Sequence, residues 1–375
     1  MKQGMKCAAL LLAAAVAAAP CGCAAERDTA AALCESEAAW LLSAQTADGA
    51  LLYYPEENGA AFINPYFADY TAMALLEAGY ADAAARYIEW HFDHLNRSPD
   101  RCGIAFTICD FDVAMEGGAA VRETPTGDYD SSDSYAATFL SLLARYYRAT
   151  GDGALLAAHY DDVCGILGAL AATSDGGLTA AKADYPVYYL MDNCEVYAGL
   201  ADARTLFGEV YADGAVYPGA DAVRADIEAR LAALGAAIEE RLWNEAEQHY
   251  ECAQEADGSC SAFDWNELYM SACSQLFPIL CGVLAPDSAR ARALYGTFCE
   301  KFDWTKIDFG ADADAAYCWG CIVCAAAMMG DGARVDAYLG TYARTFARDH
   351  AYPLFGADCA WVLRAALWRA NRAPG

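Results

Sequence analysis

The chain has 375 residues, 57% of them hydrophobic, and a formal net charge of −28. So much apolar material is ample for a large core, and nothing in the composition reads as a disordered tail. The charge disfavours nucleic acid and anionic membrane surfaces, which bind through clustered Lys and Arg, and it disfavours a polyanionic sugar on the same grounds.

At the N-terminus Lys2 and Lys6 precede the apolar run Ala8 to Ala19, which Pro20 breaks. A basic start, a short apolar stretch and small residues read as a secretory signal. The run is shorter than the roughly 20 residues of a comfortable membrane span. Residues 1–23 are therefore expected to be a signal segment, and 24–375 a single domain. The local sequence is a poor lipobox, with no Leu three residues before the cysteine, but Gly22 is acceptable before Cys23, which makes Cys23 a better candidate for a lipid anchor than Cys21. The expected product is exported, either secreted or held at the cell surface through Cys23, and monomeric.

The mature chain reads as twelve helices in six pairs. The first of each pair is amphipathic, most clearly from Ala220 to Trp243, where Arg224, Asp226, Glu228, Arg230, Glu239, Glu240 and Arg241 mark a solvated side. The second is apolar on nearly every face. Tyr317 to Met329 carries no charge, and neither does Leu268 to Leu284. A helix apolar all round must be buried all round, whereas an amphipathic one covers a surface. Six such pairs predict an all-α fold, an (α/α)6 toroid. Its inner helices are expected near 65–79, 131–150, 188–207, 265–284, 315–330 and 355–370. No run of alternating β-branched residues reaches convincing strand length. No linker divides the chain.

The loops that enter the inner helices should converge on one end of the ring. The first, about 46–64, carries Asp48, Glu56 and Glu57 and ends at Asn64-Pro65, with Pro at a good first helical position. The second is the longest and holds Asp110, Asp112, Glu116, Glu123 and Asp128; long loops in compact domains are often functional. It runs into Asp130-Ser131-Ser132-Asp133-Ser134-Tyr135. The third leads to Asp192 and Glu195, the fourth to Asp264 and Trp265, and the fifth offers Asp308, Asp312 and Asp314. The sixth is short, with His350 and Tyr352.

Seventeen cysteines in an exported chain invite disulfides. Most, including Cys273, Cys281, Cys318, Cys321, Cys324 and Cys359, fall in apolar helices, where a thiol packs as a small hydrophobe. Cys102 with Cys109 and Cys252 with Cys260 lie in or beside loops and are the candidates for local bridges. No Gly-rich phosphate cradle, paired-histidine metal motif or Gly-x-Ser-x-Gly elbow is present, so no cofactor or metal is expected. The loops supply carboxylates and aromatic rings. Glycoside hydrolysis needs that combination: one carboxylic acid protonates the leaving oxygen, and a second carboxylate activates water or attacks the sugar. A neutral carbohydrate is the expected ligand. Aspartate at a helix start also has a plain capping role, but Asp130 and Asp133 are two acids where capping requires one.

The hairpin count and the segment Asp130 to Ala136 resemble the six-hairpin glycosidases, and most of all glycoside hydrolase family 8 and related inverting families. Tyr269 to Pro278, with Gln275-Leu276-Phe277-Pro278, resembles the same family's eighth-helix start. The resemblance implies hydrolysis of a neutral polysaccharide or oligosaccharide, with Asp133, or Asp130 in its place, as one catalytic carboxylate. Two positions depart from that pattern. The family's acid glutamate is replaced by Asn64-Pro65-Tyr66, and its base aspartate would fall near Cys273. Glu57 is the expected second carboxylate; Asp69 flanks the same vacancy, and Glu116 and Asp264 are open alternatives. Tyr66, Asp69, Tyr135, Asp192, Glu195 and Trp265 are expected to bind substrate. The alternative reading is a carbohydrate-binding surface protein that has lost catalysis.

Overall fold

The computed structural model describes residues 19–54, 60–310 and 316–372. The signal segment before Ala19, the side chain of Cys23, and Glu56, Glu57, Asp312 and Asp314 lie outside the described residues.

Outer and inner helices alternate along the chain. The outer ones are α1 (Ala19–Ser43), α3 (Ala81–Asp93), α6 (Tyr160–Ala172), α8 (Ala220–Ala237), α10 (Ala289–Lys301) and α12 (Gly332–Thr345), with a short α5 (Ala154–Ala158) before α6. The inner ones are α2 (Pro65–Glu77), α4 (Ser132–Thr150), α7 (Leu190–Glu209), α9 (Phe277–Leu280), α11 (Gly320–Met328) and α13 (Gly356–Ala370). Packing closes the inner set into a ring: α2 touches α4, α4 touches α7, α7 touches α9, α9 touches α11, α11 touches α13, and α13 returns to α2. The expected (α/α)6 toroid is what the chain forms.

Charge patterning explains the two layers. Outer helix α8 buries only Ala220, Ile227, Leu231, Leu234 and Ala237, one stripe at helical spacing. Inner helix α11 buries every residue from Gly320 to Ala327. Small residues let the inner helices approach closely. A Cβ on Gly199 of α7 would stand 2.6 Å from the Ala137 carbonyl oxygen of α4. One on Gly320 of α11 would meet the Asp358 carbonyl oxygen of α13 at 2.4 Å.

The structure departs from the sequence expectation in two places. First, the fourth inner helix is broken. A wide turn at Leu268–Ala272 precedes the short α9, and Tyr269 inside it has extended backbone angles. Second, a three-stranded antiparallel sheet flanks the mouth of the ring: β1 (Ala60–Ile63), β2 (Phe111–Glu116) and β3 (Ala119–Pro125). In β2 the buried residues Phe111, Val113 and Met115 alternate with outward ones. The hairpin turns at Gly117-Gly118, both at positive φ, which glycine alone adopts at no steric cost. Val113 is the only β-branched residue in β2, so burial periodicity rather than propensity makes the strand.

Cys102, Cys109, Cys252 and Cys260 are free thiols, so neither candidate bridge is formed.

Candidate active site

The ends of the inner helices enclose a cavity of about 320 Å³. Each inner sector contributes to its lining: Asn64, Tyr66 and Phe67 from the start of α2; Asp130, Ser131, Ser134 and Tyr135 from the start of α4; Met191 and Asp192 from α7; Tyr269, Cys273 and Phe277 from the broken fourth sector; Tyr317, Trp319 and Cys321 from α11; and Phe355, Ala357, Asp358 and Trp361 from α13. A roomier groove of about 470 Å³ on the outer layer, between Lys306 and α12, has no aromatic lining. The Asp336 in it is ion-paired with Arg369.

The cavity has two unlike walls. One is a continuous belt of aromatic rings. It runs from Tyr135 to Tyr66 (centroids 5.9 Å apart), to Phe67 (5.0 Å), to Phe355 (5.0 Å), to Tyr317 (6.0 Å), to Trp319 (6.4 Å) and to Tyr269 (5.4 Å). Tyr53 stacks on Phe355 at 4.7 Å and adds to it. Trp319 has a φ of 54°, a left-handed conformation that is strained for so bulky a residue and that clusters at functional sites. The other wall, at the starts of α4 and α7, is polar: Asp130, Ser131, Ser134 and Asp192.

The polar wall holds a network of acids. Ser131 Oγ lies 2.9 Å from Asp133 Oδ1, 3.0 Å from Asp192 Oδ2 and 2.5 Å from Ser134 Oγ. A hydroxyl has one proton and cannot donate to both carboxylates. A proton on Asp192 resolves the conflict, with Ser131 donating to Asp133 and accepting from Asp192. Electrostatics agree. Burial pushes the Asp192 carboxyl well above the usual range, and the like charge of Asp133 pushes it further. One turn along α7, Glu195 is buried, and its Oε1 accepts from the Tyr66 hydroxyl at 2.7 Å and the Tyr70 hydroxyl at 2.5 Å. Its Oε2 is buried with no partner. Burial raises Glu195 to about 8, despite those two donors.

The third carboxylate, Asp358, approaches from the opposite sector, because α7 and α13 stand three places apart in the ring of six. Its Oδ1 accepts the Gly320 N–H at 2.9 Å, which ties α13 to the start of α11. Burial raises it to about 6, partly offset by the backbone N–H groups of Gly320 and Trp319. The cavity thus favours the protonated form of Asp192 on one side, while Asp358 on the other is raised only to about 6.

Of the sequence-stated candidates, Asp130, Tyr66, Tyr135 and Asp192 line the cavity. Glu195 lies just behind it, bonded to Tyr66. Asp133 does not face the cavity. It is completely buried, and Ser131 Oγ, the Ser134 N–H and Thr179 Oγ occupy its oxygens. Asp69 is also buried. It accepts from Tyr87 and Thr138 and faces His91 at 3.6 Å, holding α2, α3 and α4 together. Trp265 packs edge-on against Phe263, away from the lining. Glu116, at the end of β2, and Asp264 are exposed outside it. The sequence reasoning does not reach Asp358, Trp319, Tyr317, Phe355 and Trp361, which also line the cavity. A lone Asp in the apolar stretch Leu354 to Leu363 was the available signal for the first of them. Asp110 backs the site. The Tyr135 hydroxyl, which accepts from Asn64 Nδ2 at 2.7 Å, donates to Asp110 at 2.9 Å.

Among the described residues no group of three or more His, Cys, Asp or Glu is arranged to hold a metal ion.

Solved structures share this hairpin toroid. A wild-type glycosidase superposes with a TM-score of 0.63 at 15% identity, covering 92% of this chain and 97% of that one. A glycosidase variant in complex with glucose gives 0.61 at 14%, covering 92% and 98%. The GH63 mannosylglycerate hydrolase from Thermus thermophilus, in complex with glucose, gives 0.59 at 11%, covering 90% and 99%. No protein-family model matches the chain, and no curated protein matches it. The likeness is therefore one of fold, to glycosidase toroids in general, and does not single out family 8.

Proposed function

We propose that the protein is a glycoside hydrolase, with Asp192 as general acid and Asp358 as the carboxylate that activates water or attacks the sugar. The observation that carries this reading is the pair itself: two carboxyls, Asp192 and Asp358, line one aromatic cavity from opposed sectors of the ring, with Asp192 pushed toward its protonated form. Two carboxyls driven to different protonation states are the requirement for glycosidic cleavage. The belt from Tyr66 to Tyr269 offers ring faces to the apolar face of a sugar, and Ser134, Asn64 and Asp130 offer polar partners to its hydroxyls. A volume of about 320 Å³ is at the small end of ligand pockets, about 300–1,000 Å³. It suits a short substrate or a chain end. The site presents no positive charge to an anionic sugar. Export, and anchoring at Cys23, belong to the same proposal and are supported by the basic and apolar N-terminal sequence.

The test is turnover of a panel of 4-nitrophenyl glycosides and short oligosaccharides by the wild type and by Asp192→Asn and Asp358→Asn. Each variant should lose at least two orders of magnitude in kcat, about 3 kcal/mol of barrier, with melting little changed. Wild-type inactivity across the panel, with sugar binding intact, would favour the non-catalytic binding protein. Full activity of either variant would refute its assigned role.

A further inference from the structure

Two residues of the cavity lining have no part in the proposed hydrolysis: Cys273 and Cys321. They stand 48 positions apart in the chain, yet their sulfurs are 3.8 Å apart. Cys273 follows the wide turn Leu268–Ala272 that breaks the fourth inner helix, and Cys321 is the second residue of α11. Cys102, Cys252 and Cys359 meet oxygen atoms instead, of Asp184, of Ser271 and Ser274, and of Glu37. Cys321 keeps 7% of its surface open, whereas Cys273 has none, so the first is the thiol a small reagent reaches from the cavity and the second lies behind it.

Two sulfurs in contact, one reachable and one behind it, are the arrangement in which an oxidised thiol is resolved by its neighbour. The approach still to be made, from 3.8 Å to the roughly 2 Å of a disulfide, is a matter of side-chain rotation beside a broken helix. We propose that Cys273 and Cys321 form a reversible dithiol–disulfide site, oxidised by a small peroxide that enters through the cavity. The Cys321 thiolate attacks hydrogen peroxide and the O–O bond breaks. One oxygen stays on the sulfur as sulfenic acid, and the other leaves as hydroxide and takes up the proton that Cys321 released. The Cys273 sulfur then attacks the Cys321 sulfur, the S–O bond breaks, and that oxygen leaves as a second water with the Cys273 proton. The two thiols give up two electrons, and the peroxide is reduced to two waters. Contact with Cys273 and burial push the Cys321 thiol well above its usual range, which makes the first attack slow. Exchange with an added dithiol restores the pair. The bridge ties the fourth sector to α11, whose rings Tyr269 and Trp319 stand 5.4 Å apart on the aromatic wall. This site goes beyond the glycosidase reading, and its test uses no sugar.

The full chain, reduced and then freed of reductant, would be exposed to hydrogen peroxide at pH 8 and mapped by mass spectrometry without further reduction. The expected product is a peptide pair joined through Cys273 and Cys321, lighter by two hydrogen atoms than the separate peptides and released by dithiothreitol. In Cys273→Ser, dimedone should trap a sulfenic acid on Cys321; in Cys321→Ser, Cys273 should stay unlabelled. If either variant fails to fold, the wild-type map decides by itself. A bridge that forms only in urea-unfolded protein overturns the proposal. So does oxidation at other cysteines that leaves Cys273 and Cys321 as thiols. A dimedone adduct on Cys273 in preference to Cys321 overturns the assigned order of attack.

Discussion

Replacing Glu195 by Gln should make the protein more stable, and increasingly so as the pH rises. Gln keeps an oxygen to accept from the Tyr66 and Tyr70 hydroxyls, and its shape is nearly that of Glu. What it removes is a titrating group that burial has raised from 4.5 to about 8. In the unfolded chain that carboxyl loses its proton near 4.5, while in the folded protein it keeps it until about 8. Between those values the native state binds the extra proton, so folding stability falls with rising pH by about 1.4 kcal/mol per pH unit. The accumulated loss is about 3 kcal/mol at pH 7 and about 5 kcal/mol above pH 8. The variant escapes it. Urea unfolding of both proteins at several values from pH 5 to 9 would measure the gap. It should be small at pH 5 and grow to several kcal/mol by pH 9. A gap that stays constant across the series would refute the claim that Glu195 is protonated in the folded protein. A variant less stable throughout would show that its hydrogen bonds to the tyrosines outweigh its buried charge.

Glu37 should behave in the opposite sense. Burial would raise its carboxyl, but His350, Tyr342 and Cys359 hold it below the usual value. Its stabilisation is therefore present above about pH 4.5 and lost on acidification, and Glu37→Gln should cost about 1–3 kcal/mol at pH 7, with the difference closing toward pH 4 in urea titrations. Activity should rise through about pH 6 as Asp358 ionises and fall on the alkaline side as Asp192 loses its proton, a bell read from kcat/KM. In Gly199→Ala the new methyl meets the Ala137 backbone of α4, and overpacking should lower stability by about 1–3 kcal/mol with a matching drop in Tm.

The ring was legible because alternation between charged and uncharged helices is a property of sequence alone. Asp130, Tyr66, Tyr135 and Asp192 were within reach for a related reason: each stands at the start of an inner helix, and those starts meet. The same rule failed for Trp265, because the fourth inner helix starts late and through a distorted turn. That turn gives Tyr269 the place in the lining. Asp133 shows the limit of motif reading. Beside Asp130 in sequence it looks equivalent, yet the helix turns it inward onto Ser131, Ser134 and Thr179. The aromatic belt was hidden because its members come from five sectors separated by tens to hundreds of residues. Only the closed ring brings Phe355 at the start of α13 against Phe67 of α2. The sheet was hidden because β2 alternates in burial but has little β-branched character.

The clasp at Glu37 bears on how the molecule is made. Its partners Tyr342, His350 and Cys359 lie 305, 313 and 322 residues further along. Contacts of such sequence separation form late and slowly, since a very long segment must be closed before they reward it. The sector that meets α1 is α13, which also supplies Asp358. A chain still emerging during synthesis therefore has the aromatic residues of its early hairpins and Asp192, but not the facing carboxylate. Under the proposed function, activity would depend on completion of the circle, since a nascent or truncated polypeptide that stops before α13 lacks Asp358.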